Sequence, residues 1–166
     1  GPGVARNLGI IKSKGKYILF LDVDDKLDAQ KMGLLENFLK FKNPNLVYLN
    51  RKLTNNKGSK EKLSPFLKYN RKTISDFFKK SNNMNVIFIL FKKEFIKKNT
   101  LKFNKGIHED IFFVFKSHFF NKKKISLFEP IIYLKMNYKG SITHSKLTFS
   151  HLNGMYCAWQ NIDNFL

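Results

Sequence analysis

The sequence predicts an α/β fold, a layered sheet with helices packed on it. Three observations carry that prediction. Segments with helical spacing of apolar residues alternate with short continuous apolar runs of the buried-strand type. The chain is 166 residues long, which suits one domain with a real core. Its hydrophobic fraction of 43% and aromatic fraction of 15%, with 18 Phe, exclude a disordered chain.

The elements follow in order. Residues 3–14, "GVARNLGIIKSK", place Val4, Leu8 and Ile11 at helical spacing, with Pro2 where a first helical turn tolerates it. Gly15 stops that helix, and "YILFL" (17–21) is a short buried strand. From Asp28 a helical period resumes through Met32, Leu35, Phe38 and Leu39, with Asp28 as N-cap. "NLVYLN" (45–50) is the next strand. Residues 51–70 are polar and broken by Gly58 and Pro65, which predicts a long loop. A short helix is expected at 73–80, a strand at 85–93 and a helical turn or two at 93–99. A buried helix follows at 108–120, a strand at 130–138 and a weakly amphipathic helical tail at 145–166.

Composition bounds the function. The longest apolar runs, such as "VIFILF" (86–91), are too short to span a bilayer. A single cysteine, Cys157, excludes an internal disulfide and fits a reducing compartment. Lys and Arg number 31 against 12 Asp and Glu, a net charge of +19. That excess has three readings: a lysine-coated solvated surface, attraction to an anionic membrane face, or nucleic-acid binding. The bases are mostly lysines in scattered pairs, and no Gly-aromatic RNA-binding signature is present, so a nucleic-acid partner is not expected.

Against that background the few acids are concentrated. Asp22, Asp24, Asp25 and Asp28 crowd behind the apolar run 17–21. Strand alternation sends Asp22 and Asp24 to one side, where two like charges repel by roughly 1 kcal/mol in water and more when desolvated. A hard divalent ion offsets this better than a lysine, and carboxyl ends of strands are where open α/β sheets bind ligands. Helix capping explains Asp28 but not the other three. An EF-hand is excluded, since counting from Asp22 the sixth position is Leu27 and the twelfth is Gly33. "LFLDVDDKL" is similar to the opening of haloacid-dehalogenase-type phosphatases, with Asp22 as nucleophile and Asp24 as general acid/base. It departs from that pattern at Asp25 and Lys26.

A closer resemblance runs through "GPGVARNLGIIKSKGKYILFLDVDD". Gly3, Ala5, Arg6, Asn7, Gly9, Gly15, Tyr17, Ile18, Asp22, Asp24 and Asp25 match the pattern of family-two glycosyltransferases of the GT-A fold. "HEDIFFVFK" resembles the family's Glu-Asp and following apolar helix, and "YKGSITHS" (138–145) its closing element. The resemblance implies a mixed Rossmann-like sheet flanked by helices, with residues 1–144 forming the carboxyl-terminal portion of the domain and 145–166 a tail. It also implies that the first strands of the nucleotide-binding half precede Gly1. The "YILFL" strand is then expected to present an unpaired apolar edge, and the segment by itself to be poorly active.

The implied chemistry is inverting transfer of a hexosyl-type sugar from a nucleotide-diphosphate donor, a UDP-sugar above all, to a glycan or lipid-linked acceptor in cell-surface polysaccharide synthesis. Mn²⁺ or Mg²⁺ is the implied cofactor, with Asp24 its direct ligand and Asp22 facing the ribose or a metal-bound water. Asp110 is the implied general base, Glu109 its support or an acceptor contact, and Arg6 a nucleotide contact or a partner of the acidic cluster. His144 is a further candidate metal ligand. The basic surface suits a cytoplasmic enzyme at the inner membrane face. The rivals are the phosphatase and a basic nucleic-acid or membrane-binding module.

Overall fold

The computed structural model describes residues 1–55, 58–62, 85–123, 125–136 and 148–166. Among the described residues six strands form one mixed sheet: β1 (Tyr17–Leu19), β2 (Lys26–Leu27), β3 (Leu46–Asn55), β4 (Gly58–Lys62), β5 (Ile89–Lys92) and β6 (Ser126–Met136). Their order is β1-β5-β3-β6-β2, with β4 paired to β3. β3 and β6 run parallel, while β5 is antiparallel to both β1 and β3. The helices are α1 (Pro2–Lys12), α2 (Met32–Lys42), α3 (Lys93–Lys98), α4 (Glu109–Phe120) and α5 (Phe149–Asp163).

Alternation along β3 divides the core into two layers. Leu46 and Tyr48 join Phe91, Phe113 and Phe115 on one face, together with Ile10 of α1 and Ile162 of α5. Val47 and Leu49 join Leu35 of α2, Phe128 and Ile132 on the other. The same rule explains "YILFL": Ile18 and Phe20 enter the first layer, Tyr17 and Leu19 the second. Phe20 lies edge-on to Phe91, Phe103 and Phe113, so the acidic loop leaves the core from a fixed base. β1 is an edge strand, with no partner on its outer side among the described residues, as expected from the sequence.

Three expectations need correction. Residues 51–55 and 58–62 are not loop: the strand begun at Leu46 continues to Asn55 and pairs with β4, Arg51 opposite Lys62. The polar "RKLTN" and "GSKEK" carry no apolar alternation, so hydropathy misses this strand pairing. The rest of that stretch, and the helix expected at 73–80, lie outside the described residues. The strand expected at 85–93 opens with a 3-10 turn, Val86–Phe88, capped by Asn85, whose side chain accepts from the Ile87 amide at 3.2 Å. The last strand starts at Ser126, before Pro130. Proline cannot donate to a ladder, and here it falls where β3–β6 pairing shifts register between Leu49 and Arg51. The Asn50 side chain bridges that gap, donating to the Glu129 carbonyl at 2.7 Å.

The tail helix α5 packs on α4. Ala158 and Ile162 are buried, and Phe165 meets the rings of Phe112, Phe115, Phe119 and Phe120. Gly154 makes that approach possible, because a Cβ there would stand 2.7 Å from the Ile107 carbonyl oxygen.

Candidate active site

The carboxyl end of β1 turns sharply, with the Asp25 amide donating to the Asp22 carbonyl at 3.0 Å. Within this turn the four acids separate into two kinds. Asp25 is buried and accepts from the Tyr133 hydroxyl at 2.7 Å, the Lys135 ammonium at 3.2 Å and the Met136 amide at 2.9 Å. Burial and the adjacent carboxylate push the Tyr133 phenol well above its ordinary pKa, so it stays protonated and donates. Asp28 caps the 3-10 turn Ala29–Lys31 ahead of α2, accepting from the Gln30 amide at 3.1 Å and pairing with Lys31 at 3.1 Å. Both acids are consumed by structure.

Asp22 and Asp24 are the other kind. Asp24 is exposed, and Asp22 is partly exposed between Lys135 at 3.6 Å and Arg6 at 3.8 Å. Carboxylate oxygens of Asp22, Asp24 and Asp25 lie within 4.8 Å of one another. With both Asp25 oxygens already accepting, Asp22 and Asp24 are the two that fit a divalent ion. Two hard oxygen donors with an open side suit Mg²⁺ or Mn²⁺ that completes its shell from water and a diphosphate.

The second half of the site comes from α4. Its first residues are Glu109, buried, and Asp110, half-buried. Burial and the neighbouring Glu109 charge raise the Asp110 pKa from its ordinary value, opposed in part by Arg6 and by a backbone hydrogen bond at Val86. His108 precedes them with φ 62°, a left-handed conformation uncommon outside glycine, and its buried Nε2 has no partner among the described residues.

Arg6 joins the two halves. Its Nη1 donates to Glu109 Oε1, while Nη2 faces Asp22. Two residues of "GVARN" place it there. Gly3 lets α1 approach closely, since a Cβ would stand 2.4 Å from the Asn104 carbonyl oxygen and 2.9 Å from Glu109 Cγ. Asn7 clamps the far side, donating to the Phe103 carbonyl and accepting from the Phe103 amide, both at 2.9 Å. A cavity of about 450 Å³ opens beside Arg6, between α1 and the free edge of β1.

The structure therefore brings Arg6, Asp22, Asp24, Glu109 and Asp110 to one end of the sheet; His144 lies outside the described residues. Sequence reasoning picked out Asn7 as a motif residue but not its clamp on Phe103, and missed the Gly154 contact with Ile107 and the anchors Tyr133 and Lys135. The last pair stands two apart on β6, a spacing that puts both on one face and offered a usable signal.

A glycosyl transferase family 2 model matches residues 1–125. The chain belongs to that family. A glycosyltransferase of Haemophilus influenzae, described as uncharacterized, is 31% identical over 118 residues, covering 68% of this chain and 43% of the relative. Another so described, from Rickettsia bellii, is 54% identical over 43 residues, 26% of this chain and 6% of the relative. The structure of Staphylococcus aureus TarS 1–349 in complex with UDP-GlcNAc superposes with a TM-score of 0.72 at 18% identity, covering 99% of this chain and 47% of that one. The same protein in complex with UDP gives 0.69 at 17% identity, covering 98% and 44%. This family-2 chain thus has the GT-A fold and spans less than half the length of these relatives.

Proposed function

We propose that this chain is part of an inverting glycosyltransferase that moves a sugar from a UDP-sugar to a hydroxyl of a glycan or lipid-linked acceptor. The observation that carries the reading is the Arg6 bridge, which ties the Asp-x-Asp turn to the head of α4. Family membership supports transfer over the phosphatase reading of the same acids. The structural neighbours in complex with UDP-GlcNAc and UDP support a uridine diphosphate donor.

Asp24 and Asp22 would hold Mn²⁺ or Mg²⁺, which when bound offsets the charge gathering on the departing diphosphate. Asp110 accepts the acceptor's proton as that oxygen bonds to the anomeric carbon. The bond from that carbon to the β-phosphate oxygen breaks on the opposite face, and its electron pair leaves with the nucleoside diphosphate. An upward-shifted carboxyl suits this work, because a stronger base takes a hydroxyl proton more readily. Glu109 and Arg6 hold the head of α4 against the turn, and Arg6 also lies within reach of a diphosphate beside Asp22. The setting we assign is polysaccharide synthesis at the cytoplasmic face of a membrane. Among the described residues no helix is long and apolar enough to cross one.

The test is a donor screen on the full-length native protein with Mn²⁺ or Mg²⁺, alongside Asp24→Ala and Asp110→Asn. Turnover of a UDP-sugar that both variants abolish supports the proposal. Unchanged turnover in either variant, or a phosphorylated Asp22 adduct, would overturn it.

A further inference from the structure

The fold collects lysines at the end of the sheet opposite the acidic turn. α1 ends at Lys12 and passes Lys14 and Lys16 into the start of β1, and α2 ends with Lys40 and Lys42 just before β3. Backbone bonds pin these connections together. The Lys92 amide donates to the Asn45 carbonyl at 2.8 Å, and the Lys93 amide to the Lys16 carbonyl at 2.9 Å. Beside them a cavity of about 320 Å³ is lined by Lys92, Lys98, Lys122 and Lys123 over the Phe95 and Phe120 rings. Glu94 is the one acid of that lining, and Lys92 already pairs with it at 3.1 Å. Lys98, Lys122 and Lys123 are exposed.

Two apolar side chains stand out of the same end. Phe41 is 83% exposed with the Lys42 ammonium 5.2 Å from its ring centre, and Ile11 is 72% exposed next to Lys12. Lysines around protruding apolar side chains form the pattern of an interfacial surface, with charge drawn to phosphate headgroups and apolar tips entering the acyl boundary. Every base named at this end is lysine. Lysine acts as a point charge and lacks the fork with which arginine grips phosphates and bases in nucleic-acid recognition.

We propose that this lysine-rich end docks on an anionic lipid surface, with the cavity between α3 and the α4–β6 connection seating a phosphodiester headgroup. The inference rests on the membrane-face setting proposed above and gives it a surface and an orientation. With the strands pointing away from the lipid, the acidic turn stands roughly 20 Å off the membrane, the rise of the residues from Lys16 to Asp22. That distance suits an acceptor extended from the surface on a glycan rather than a headgroup hydroxyl.

The experiment is sedimentation of the whole chain with vesicles of equimolar phosphatidylcholine and phosphatidylglycerol, and with phosphatidylcholine alone. No sugar transfer enters the readout, so failure here and failure of the transferase reading are separable. The chain should pellet with the anionic vesicles only. Replacing Lys98, Lys122 and Lys123 together with Gln should lower partitioning by about five-fold per lysine, on the order of 100-fold in all. The charge-matched replacement of Lys26, Lys102 and Lys105 should lower it several-fold at most, and Phe41→Ser should weaken it measurably. Circular dichroism and thermal unfolding confirm that the variants fold. Equal losses in the two triple variants would overturn the proposal, as would a preference for single-stranded oligonucleotide over vesicles. So would inorganic phosphate binding at the cavity without vesicle binding.

Discussion

The two ends of the sheet are both charged, and they are built differently. At the carboxyl end of β1 the buried carboxylates have fixed partners: Asp25 lies in the grip of three β6 donors, and Glu109 is held by an arginine that also faces Asp22. At the opposite end Lys98 of α3 and the neighbouring Lys122 and Lys123 of the α4–β6 connection stand exposed, and in the docking proposal they act together as a field. The contrast teaches that a reacting centre needs position, whereas an adsorbing face needs only sign and density. Single substitutions should therefore be severe at the first end and cumulative at the second.

The largest expected effect is on turnover. Asp110→Asn keeps the shape of the side chain and removes the base, so kcat/KM for sugar transfer by the full-length protein should fall by about 10²–10⁴-fold. The same substitution separates chemistry from stability. Because the native Asp110 pKa is raised, the folded state binds the proton more tightly than the unfolded one. Its contribution to stability is therefore greatest at low pH and falls as pH rises through the folded-state pKa. At neutral pH Asp110→Asn should unfold no earlier than the parent, and the acid limb of the parent's pH–rate profile should sit above that of an ordinary carboxylate.

Asp25→Ala should show the reverse pattern. It leaves the Tyr133 hydroxyl and the Lys135 ammonium without their buried acceptor, costing about 3 kcal/mol in urea denaturation. Turnover loss should follow loss of fold. Gly3→Ala comes next, at about 1–3 kcal/mol, because the new methyl meets the Asn104 carbonyl and Glu109 Cγ. Thermal unfolding reads the cost, and a reduced kcat in the fraction still folded would show that Glu109 has moved. The smallest effect belongs to the other end. Neutralising Lys98, Lys122 and Lys123 should leave kcat with a small soluble acceptor unchanged, since none of them touches the acidic turn.

The comparison also explains what the sequence made legible. α2 is readable from its helical period, β1 and α4 from their dense apolar runs, and the Asp-x-Asp and "HEDIFFVFK" resemblances point to the two halves of the candidate site. The division of labour among the four aspartates was not readable. Asp24 and Asp25 are neighbours of identical chemistry, and only the pairing of β6 with β2 decides which one is buried. The β3–β4 hairpin was hidden because its polar residues carry no hydrophobic signal. The lysine-rich end was hidden for another reason: its members come from α1, α2, β5, α3 and the α4–β6 connection, far apart in the chain and gathered only by the topology.

The central claim is that Asp22 and Asp24 hold a cation against a nucleoside diphosphate. Calorimetric titration of UDP into the full-length protein, with Mn²⁺ and with excess chelator, tests it directly. The account predicts binding that requires the metal and disappears in Asp24→Ala while the thermal transition is kept. Equal UDP affinity with chelator present, or in Asp24→Ala, would contradict it.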